Sequence, residues 1–221
     1  MKTLQKFGGF AALYLAAVNL MGMCIFLVVL DYMNITDPLQ KVTLLVEKQT
    51  VIFSTNLLMY VFFGVFLIAL SLALYDRLKD SAPVIMQMAA VTGIIWAGSL
   101  IASGMVANAG IAPVVALYSR DPQQAALAWQ NIETVSGGLG NANGEILGGL
   151  LTLLVSYAAL RSSKLPKGLN FLGLLVGAAG IASLIPALTD TLVGIFGLGQ
   201  IVWFIGLGIV LLRRNPNTAA Q

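Results

Sequence analysis

Apolar residues fill long uncharged runs along the chain, and short charged clusters separate them. Phe7–Leu30 holds 24 residues without a charge, and Gln49–Tyr75 holds 27. A hydrocarbon layer of roughly 30 Å needs about 20 helical residues, so each run predicts one crossing helix. Ser81–Ser119 is uncharged over 39 residues. That is too long for one crossing and predicts a helix over about 83–107 followed by an outer segment. Thr134–Leu160 carries a single charge, Glu145, and predicts a span over about 138–160. Gly168–Thr189 and Thr191–Leu212 hold 22 residues each. As one helix they would reach about 67 Å, twice the layer, so they read as a hairpin turning at Thr189-Asp190-Thr191.

The expected fold is an all-α integral membrane protein, one helical-bundle domain over residues 1–221. Its six transmembrane helices cover about 7–30, 51–75, 83–107, 138–160, 168–189 and 191–212. Lys2 and Lys6 precede the first apolar run in the manner of a signal peptide. The run is longer than a cleaved apolar region of about 7–15 residues, so it reads as a retained first helix.

The basic residues orient these spans, because cytoplasmic loops carry an excess of Lys and Arg. Lys2, Lys6, Arg77, Lys79, Arg161, Lys164, Lys167, Arg213 and Arg214 fall on one side, and only Lys41, Lys48 and Arg120 fall on the other. Both termini are therefore expected in the cytoplasm.

The two long outer segments share a local signal. Asp37-Pro38-Leu39-Gln40 and Asp121-Pro122-Gln123-Gln124 each place an Asp before a Pro. An Asp side chain accepts from free N–H groups at a helix start, and Pro at the first helical position loses nothing because its N–H would be unpaired. Each motif predicts a short amphipathic outer-surface helix, over about 38–48 and 122–135. In the second, Ala125, Trp129, Ile132 and either Ser136 or Val135 share a face, with Gln123, Gln130 and Glu133 elsewhere. Trp129 is expected at the headgroup level. The first presents Leu39, Val42 and Leu45 or Val46. The 84-residue spacing of the motifs is compatible with a same-direction repeat of spans one–two and three–four, or with two independent helix starts.

Composition narrows the chemistry. Apolar residues make up 58% of the chain and charged ones 10%, with a mean hydropathy of +0.90. Soluble domains average about 25% charged. The chain has no His, which excludes imidazole ligation of haem or zinc and Ser-His catalysis. Cys24 is the single cysteine, so no intrachain disulfide forms, and it is expected to be a small buried hydrophobe. No cofactor, metal or nucleic-acid partner is expected. The expected partners are the bilayer and either further copies of the chain or another membrane subunit.

The most unusual stretch runs from Ser136 to Gly149. Gly140, Gly144 and Gly148 recur every fourth residue, continued by Thr152 and Ser156, and Gly173 and Gly177 offer a second such stripe. In lipid, small residues at this spacing let two helix backbones approach closely, so these glycines are expected to pack helices. Glu145 sits inside the stripe. An ionised carboxylate is costly in hydrocarbon, and no Lys or Arg lies inside a span to pair with it. Asn56, Asn108, Asn141, Asn143 and Asp190 lie at similar outer depth, with Gln200 somewhat deeper, and these are its expected partners. Such a group either specifies helix packing by hydrogen bonding or serves as a ligand or proton site. Ser99 and Ser103 are expected to bond the preceding turn of their own helix.

Two segments carry a resemblance. Pro166-Lys-Gly-Leu-Asn-Phe-Leu-Gly-Leu-Leu-Val-Gly and Gly199-Gln-Ile-Val-Trp-Phe-Ile-Gly-Leu-Gly-Ile-Val-Leu-Leu-Arg-Arg resemble the end of a bacterial family of small multi-pass membrane proteins, known only as a domain of unknown function. The likeness covers the C-terminal half. It implies a bacterial inner-membrane location and brings no functional residues. The functional expectation is a non-enzymatic accessory or assembly subunit. The alternative is a small carrier or channel for a cation, proton or polar ligand, built on Glu145.

Overall fold

The computed structural model describes residues 2–140 and 145–213. Helix α1 spans Lys2–Cys24 and continues as a π-helical turn over Ile25–Val29. Helices α2 (Pro38–Asn56) and α3 (Phe63–Leu78) are joined by a π-helical turn, Leu57–Phe62, into one continuous run of 41 residues. Then follow α4 (Pro83–Tyr118), α5 (Pro122–Leu139), α6 (Ile146–Ser162), α7 (Lys167–Ala182) and α8 (Thr189–Leu212). With α2 and α3 taken together, seven helices build the described residues. Four helical runs are long and apolar enough to cross a membrane: Thr3–Val29, Pro38–Leu78, Pro83–Tyr118 and Pro186–Leu212. Two shorter apolar helices, α6 and α7, complete the set. The chain is a multi-pass membrane protein by this measure, with apolar helices in contact with lipid.

Both Asp-Pro motifs start helices. Asp37 accepts from the Leu39 N–H at 3.1 Å. Asp121 accepts from those of Gln123 at 3.1 Å and Gln124 at 3.0 Å. Lys48 then breaks the helical backbone of α2 (φ −117°, ψ 24°). That kink separates the expected 38–48 helix from the longer apolar run after it.

Several boundaries differ from expectation, each for a local reason. The third span does not stop near Ala107. Helix α4 runs on through Pro113 to Tyr118, 36 residues in all, or about 54 Å. A proline inside a helix removes one backbone bond and tends to kink it, and here it does not end it. Helix α5 reaches Leu139, beyond the expected 135. Helix α6 begins at Ile146 rather than near 138, because residues 138 and 139 belong to the end of α5. The glycines at 137, 138 and 140 weaken helix continuation there. The last hairpin turns over residues 183–188. Pro186 cannot continue α7 and instead opens a 3₁₀ turn, Pro186–Leu188. Asp190 therefore lies in the first turn of α8, where a negative charge is favoured by the helix dipole.

The chain forms two compact units. One comprises Met1–Ala17, Phe66–Trp96 and Gly144–Gln221; the other comprises Val18–Val65 and Ala97–Asn143. In the first, Leu15, Leu70, Leu74, Met86, Leu151, Trp203, Phe204 and Leu207 are fully buried. Arg77, one of the orienting charges, is buried too. Its Nη2 donates to the Lys164 carbonyl at 3.0 Å and its Nη1 to Gln5 Oε1 at 3.1 Å, so it ties the α6–α7 loop to α1 and α3. In the second unit, Leu30, Tyr32, Val42, Leu45, Ile52, Ile111, Val114, Ala125, Ala126 and Trp129 form one core. The apolar faces of α2 and α5 are thus buried against each other. Leu45 fills the inner position rather than Val46, and Val135 is exposed while Ser136 is half-buried. Cys24, expected inside, is exposed.

Candidate functional site

In the first unit, the polar residues gather where α6 begins and α7 ends. Glu145 is the residue just before α6, not a mid-span position. Its N–H donates to Ser183 Oγ at 2.9 Å, and the Ser183 hydroxyl donates to the Gly180 carbonyl at 2.6 Å. One buried hydroxyl thereby serves a backbone donor at the head of α6 and a last-turn carbonyl of α7, groups that helix ends leave without intrahelical partners. The half-buried Glu145 side chain keeps Oε2 out of solvent with no hydrogen-bond partner among the described residues.

Glycines bring these two helices together. A Cβ built on Gly149 would stand 2.8 Å from the Gly177 carbonyl oxygen and 2.9 Å from the Ile181 nitrogen. One on Gly177 would stand 2.7 Å from the Gly149 oxygen, and one on Gly180 would stand 3.0 Å from the Glu145 oxygen. Here backbone meets backbone. Gly148 instead faces the ring edges of Phe196 and Trp96, and Gly173 faces Trp203 and the Ser156 hydroxyl. Gly140 follows α5 and faces Ser103. Gly144 lies outside the described residues, as do Asn141 and Asn143.

The remaining expected partners of Glu145 are engaged elsewhere. Gln200 is buried, and its Oε1 accepts from the Thr152 hydroxyl at 3.1 Å. Asn56 Nδ2 donates to Asn108 Oδ1 at 3.1 Å, and Asn108 Nδ2 donates to the Phe53 carbonyl at 3.1 Å. Asp190 is exposed. Ser99 and Ser103 do not bond their own helix. They donate to the carbonyls of Leu139 and Ser136 at the end of α5, the second at 2.7 Å.

The second unit holds a constellation that the sequence reading did not assemble. Trp129 does not turn its ring outward: it is 4% exposed. Its indole Nε1–H donates to the Tyr32 hydroxyl at 2.8 Å, and that hydroxyl donates to Glu133 Oε1 at 2.6 Å. Lys41 Nζ stands 3.7 Å from the same oxygen and 5.0 Å from the centre of the Tyr32 ring. Burial, and next the Glu133 carboxylate, hold the Tyr32 hydroxyl well above the ordinary phenol range, so it remains a donor. A small cleft beside this chain is lined by Thr36, Pro38, Lys41, Ala126, Trp129, Gln130 and Glu133.

The chain was compared with known proteins. No family model, curated protein or solved structure matches it.

The chemistry must therefore be read from the residues. Among the described residues no group of three or more Cys, Asp or Glu side chains is placed to hold a metal ion. What the first unit offers is hydrogen-bonded helix ends and a carboxyl oxygen without a partner. The second offers a fixed carboxylate facing an ammonium at the mouth of a cleft. Glu133 is expected off the apolar face of α5, yet it follows Trp129 by four residues, and residues four apart share a helix face. That spacing was the available signal. Tyr32 carried none, because it lies 97 and 101 residues from its partners.

Proposed function

We propose that this chain is a non-enzymatic multi-pass protein of the bacterial inner membrane that serves as an accessory or assembly subunit, packing against partner helices or further copies of itself. Both termini face the cytoplasm, and α6 and α7 count among six crossings. At 17 and 16 residues they reach about 25 Å, close to the roughly 30 Å of the hydrocarbon layer. Helix α5 and the first turns of α2 lie at the outer surface.

The observation that carries this reading is that two pairs of polar side chains on the apolar helices bond each other. Asn56 bonds Asn108 and Thr152 bonds Gln200. Such pairs hold helices together in lipid, whereas a transport pathway needs polar groups free to exchange a ligand. The lipid-facing sides of α1, α4, α7 and α8 carry exposed Phe10, Val91, Leu175 and Leu198, which suit contact with other helices. Mild solubilisation followed by native mass spectrometry tests the reading. The expected result is a defined complex larger than one chain that persists on dilution; a monodisperse single chain under all mild conditions overturns it.

A second reading rests on Glu145 Oε2, enclosed without a partner among the described residues. It makes the chain a small carrier for a proton or cation. Purified protein in vesicles would then conduct protons or monovalent cations, and Glu145→Gln would abolish the flux while leaving the fold. No flux above empty vesicles rules the carrier out.

A further inference from the structure

The cleft of the second unit presents two opposite charges that do not neutralise each other in close contact. Lys41 and Glu133 are each 27% exposed, and their separation of 3.7 Å exceeds the roughly 2.7–2.9 Å of a direct charged hydrogen bond. Tyr32 and Lys41 both approach Glu133 Oε1, and Glu133 lines the cleft. The carboxylate is fixed in place, because Trp129 orients the Tyr32 hydroxyl and that hydroxyl orients Glu133. Thr36 and Gln130 add polar groups at the rim, and Pro38 and Ala126 add apolar wall. The same unit exposes Val28 by 77%, Val29 by 70% and Leu127 by 61%. A polar cleft in a unit with such uncovered aliphatic side chains has the make-up of a site at the boundary between headgroups and acyl chains.

We infer that this cleft binds an ammonium–phosphate zwitterion of the phosphoethanolamine kind, as the headgroup of a phospholipid. The primary ammonium donates to the Glu133 carboxylate, and the phosphate accepts from Lys41 and from the rim groups. An anionic headgroup would meet Glu133 unfavourably, and a trimethylammonium has no N–H to donate to it. The inference uses the surface placement of α5 and the first turns of α2 proposed above, and is independent of the subunit role.

The test uses the full chain, delipidated in detergent, with native mass spectrometry to count bound lipid. The probes are phosphatidylethanolamine, phosphatidylglycerol and phosphatidylcholine, with free phosphoethanolamine in a thermal-shift arm. Expected is at least tenfold tighter retention of phosphatidylethanolamine than of the other two lipids. Glu133→Gln should erase that preference, since Tyr32 can still donate to the amide oxygen. Lys41→Met, at a half-exposed position that does not threaten folding, should weaken retention of phosphatidylethanolamine about tenfold. Stabilisation by free phosphoethanolamine equal to that by the lipid keeps the chemistry and assigns a soluble source; stabilisation by the lipid alone assigns the bilayer. Equal retention of all three lipids, or a preference unchanged in both variants, overturns the inference. Because the free-headgroup arm needs no membrane and no partner, its outcome is separate from that of the assembly experiment.

Discussion

The α6–α7 pairing and the α2–α5 pairing solve the same packing problem by opposite means. Helices α6 and α7 meet where side chains are missing: Gly149, Gly177 and Gly180 put backbone against backbone. Helices α2 and α5 meet through side chains, with Val42, Leu45, Ala125 and Trp129 in a shared core and the Trp129–Tyr32–Glu133 hydrogen bonds across it. Under the topology proposed above, the difference follows from the solvent that each pair faces. Lipid tails give no hydrophobic drive for helices to associate, so close dispersion contact has to do it. A helix pair at a watery surface gains from removing apolar area from water, at about 25 cal/mol per Å². Size therefore helps one pair and would destroy the other.

The largest expected effect tests that contrast directly. Gly149→Leu would drive a side chain into the Gly177 carbonyl and the Ile181 nitrogen, backbone atoms that cannot swing aside. The cost should reach or exceed the roughly 3 kcal/mol upper end of core overpacking. It is read as a drop in melting temperature in detergent. Gly197, whose added Cβ would meet nothing within 4 Å, is the control, and Gly197→Leu should change stability by less than about 0.5 kcal/mol. Equal losses at both positions would show that α6 and α7 do not depend on close approach.

A middle-sized effect probes the α2–α5 side. Tyr32→Phe keeps the ring but leaves the buried Trp129 N–H without its acceptor and Glu133 without its donor. Stranding a buried polar group costs about 1–3 kcal/mol. Tyr32→Phe combined with Trp129→Phe should cost less than the two single changes added together, because they act through one hydrogen bond. Chemical denaturation of the four proteins gives the coupling, and strict additivity would mean that the bond contributes nothing.

The sequence made one side of this comparison more legible than the other. The Asp-Pro helix starts could be read because capping is a local matter of adjacent residues. The four-residue glycine spacing announced a close-packing surface, and Gly177 on the second stripe meets the Gly149 backbone, but its partners Gly149 and Gly180 lie beside the stripes rather than on them. Span lengths were read too evenly. An uncharged run shows where a helix can lie, while Pro186 and the glycines at 137–140 decide where it stops. The expected pocket around Glu145 relied on depth alone. Depth does not give the rotation of a helix, and rotation is what sends Asn56 to Asn108 and Gln200 to Thr152. The Tyr32 constellation was out of reach for a related reason. Tyr32 lies 97 and 101 residues from its partners, and only the packing of the segment before α2 against α5 joins them.

The smallest effect separates the two Asp-Pro starts. Asp121 accepts two backbone N–H bonds, and Asp37 accepts one. Replacing an Asp cap by Ala costs about 0.5–2 kcal/mol. Asp121→Ala should therefore cost about 1 kcal/mol and Asp37→Ala about half as much. Context should widen the gap. The helix that Asp121 starts puts Ala125, Ala126 and Trp129 into the core within its first two turns, so fraying there loosens buried contacts. Near Asp37, Leu39 is only half-buried and the first fully buried residue is Val42. Hydrogen exchange of the first-turn amides is the most direct readout, since it reports local opening without global unfolding. Protection should fall at Gln123 and Gln124 in the Asp121 variant and at Leu39 in the Asp37 variant. If the Asp37 change is the costlier one, the start of α2 carries more of this pairing than its caps and contacts indicate.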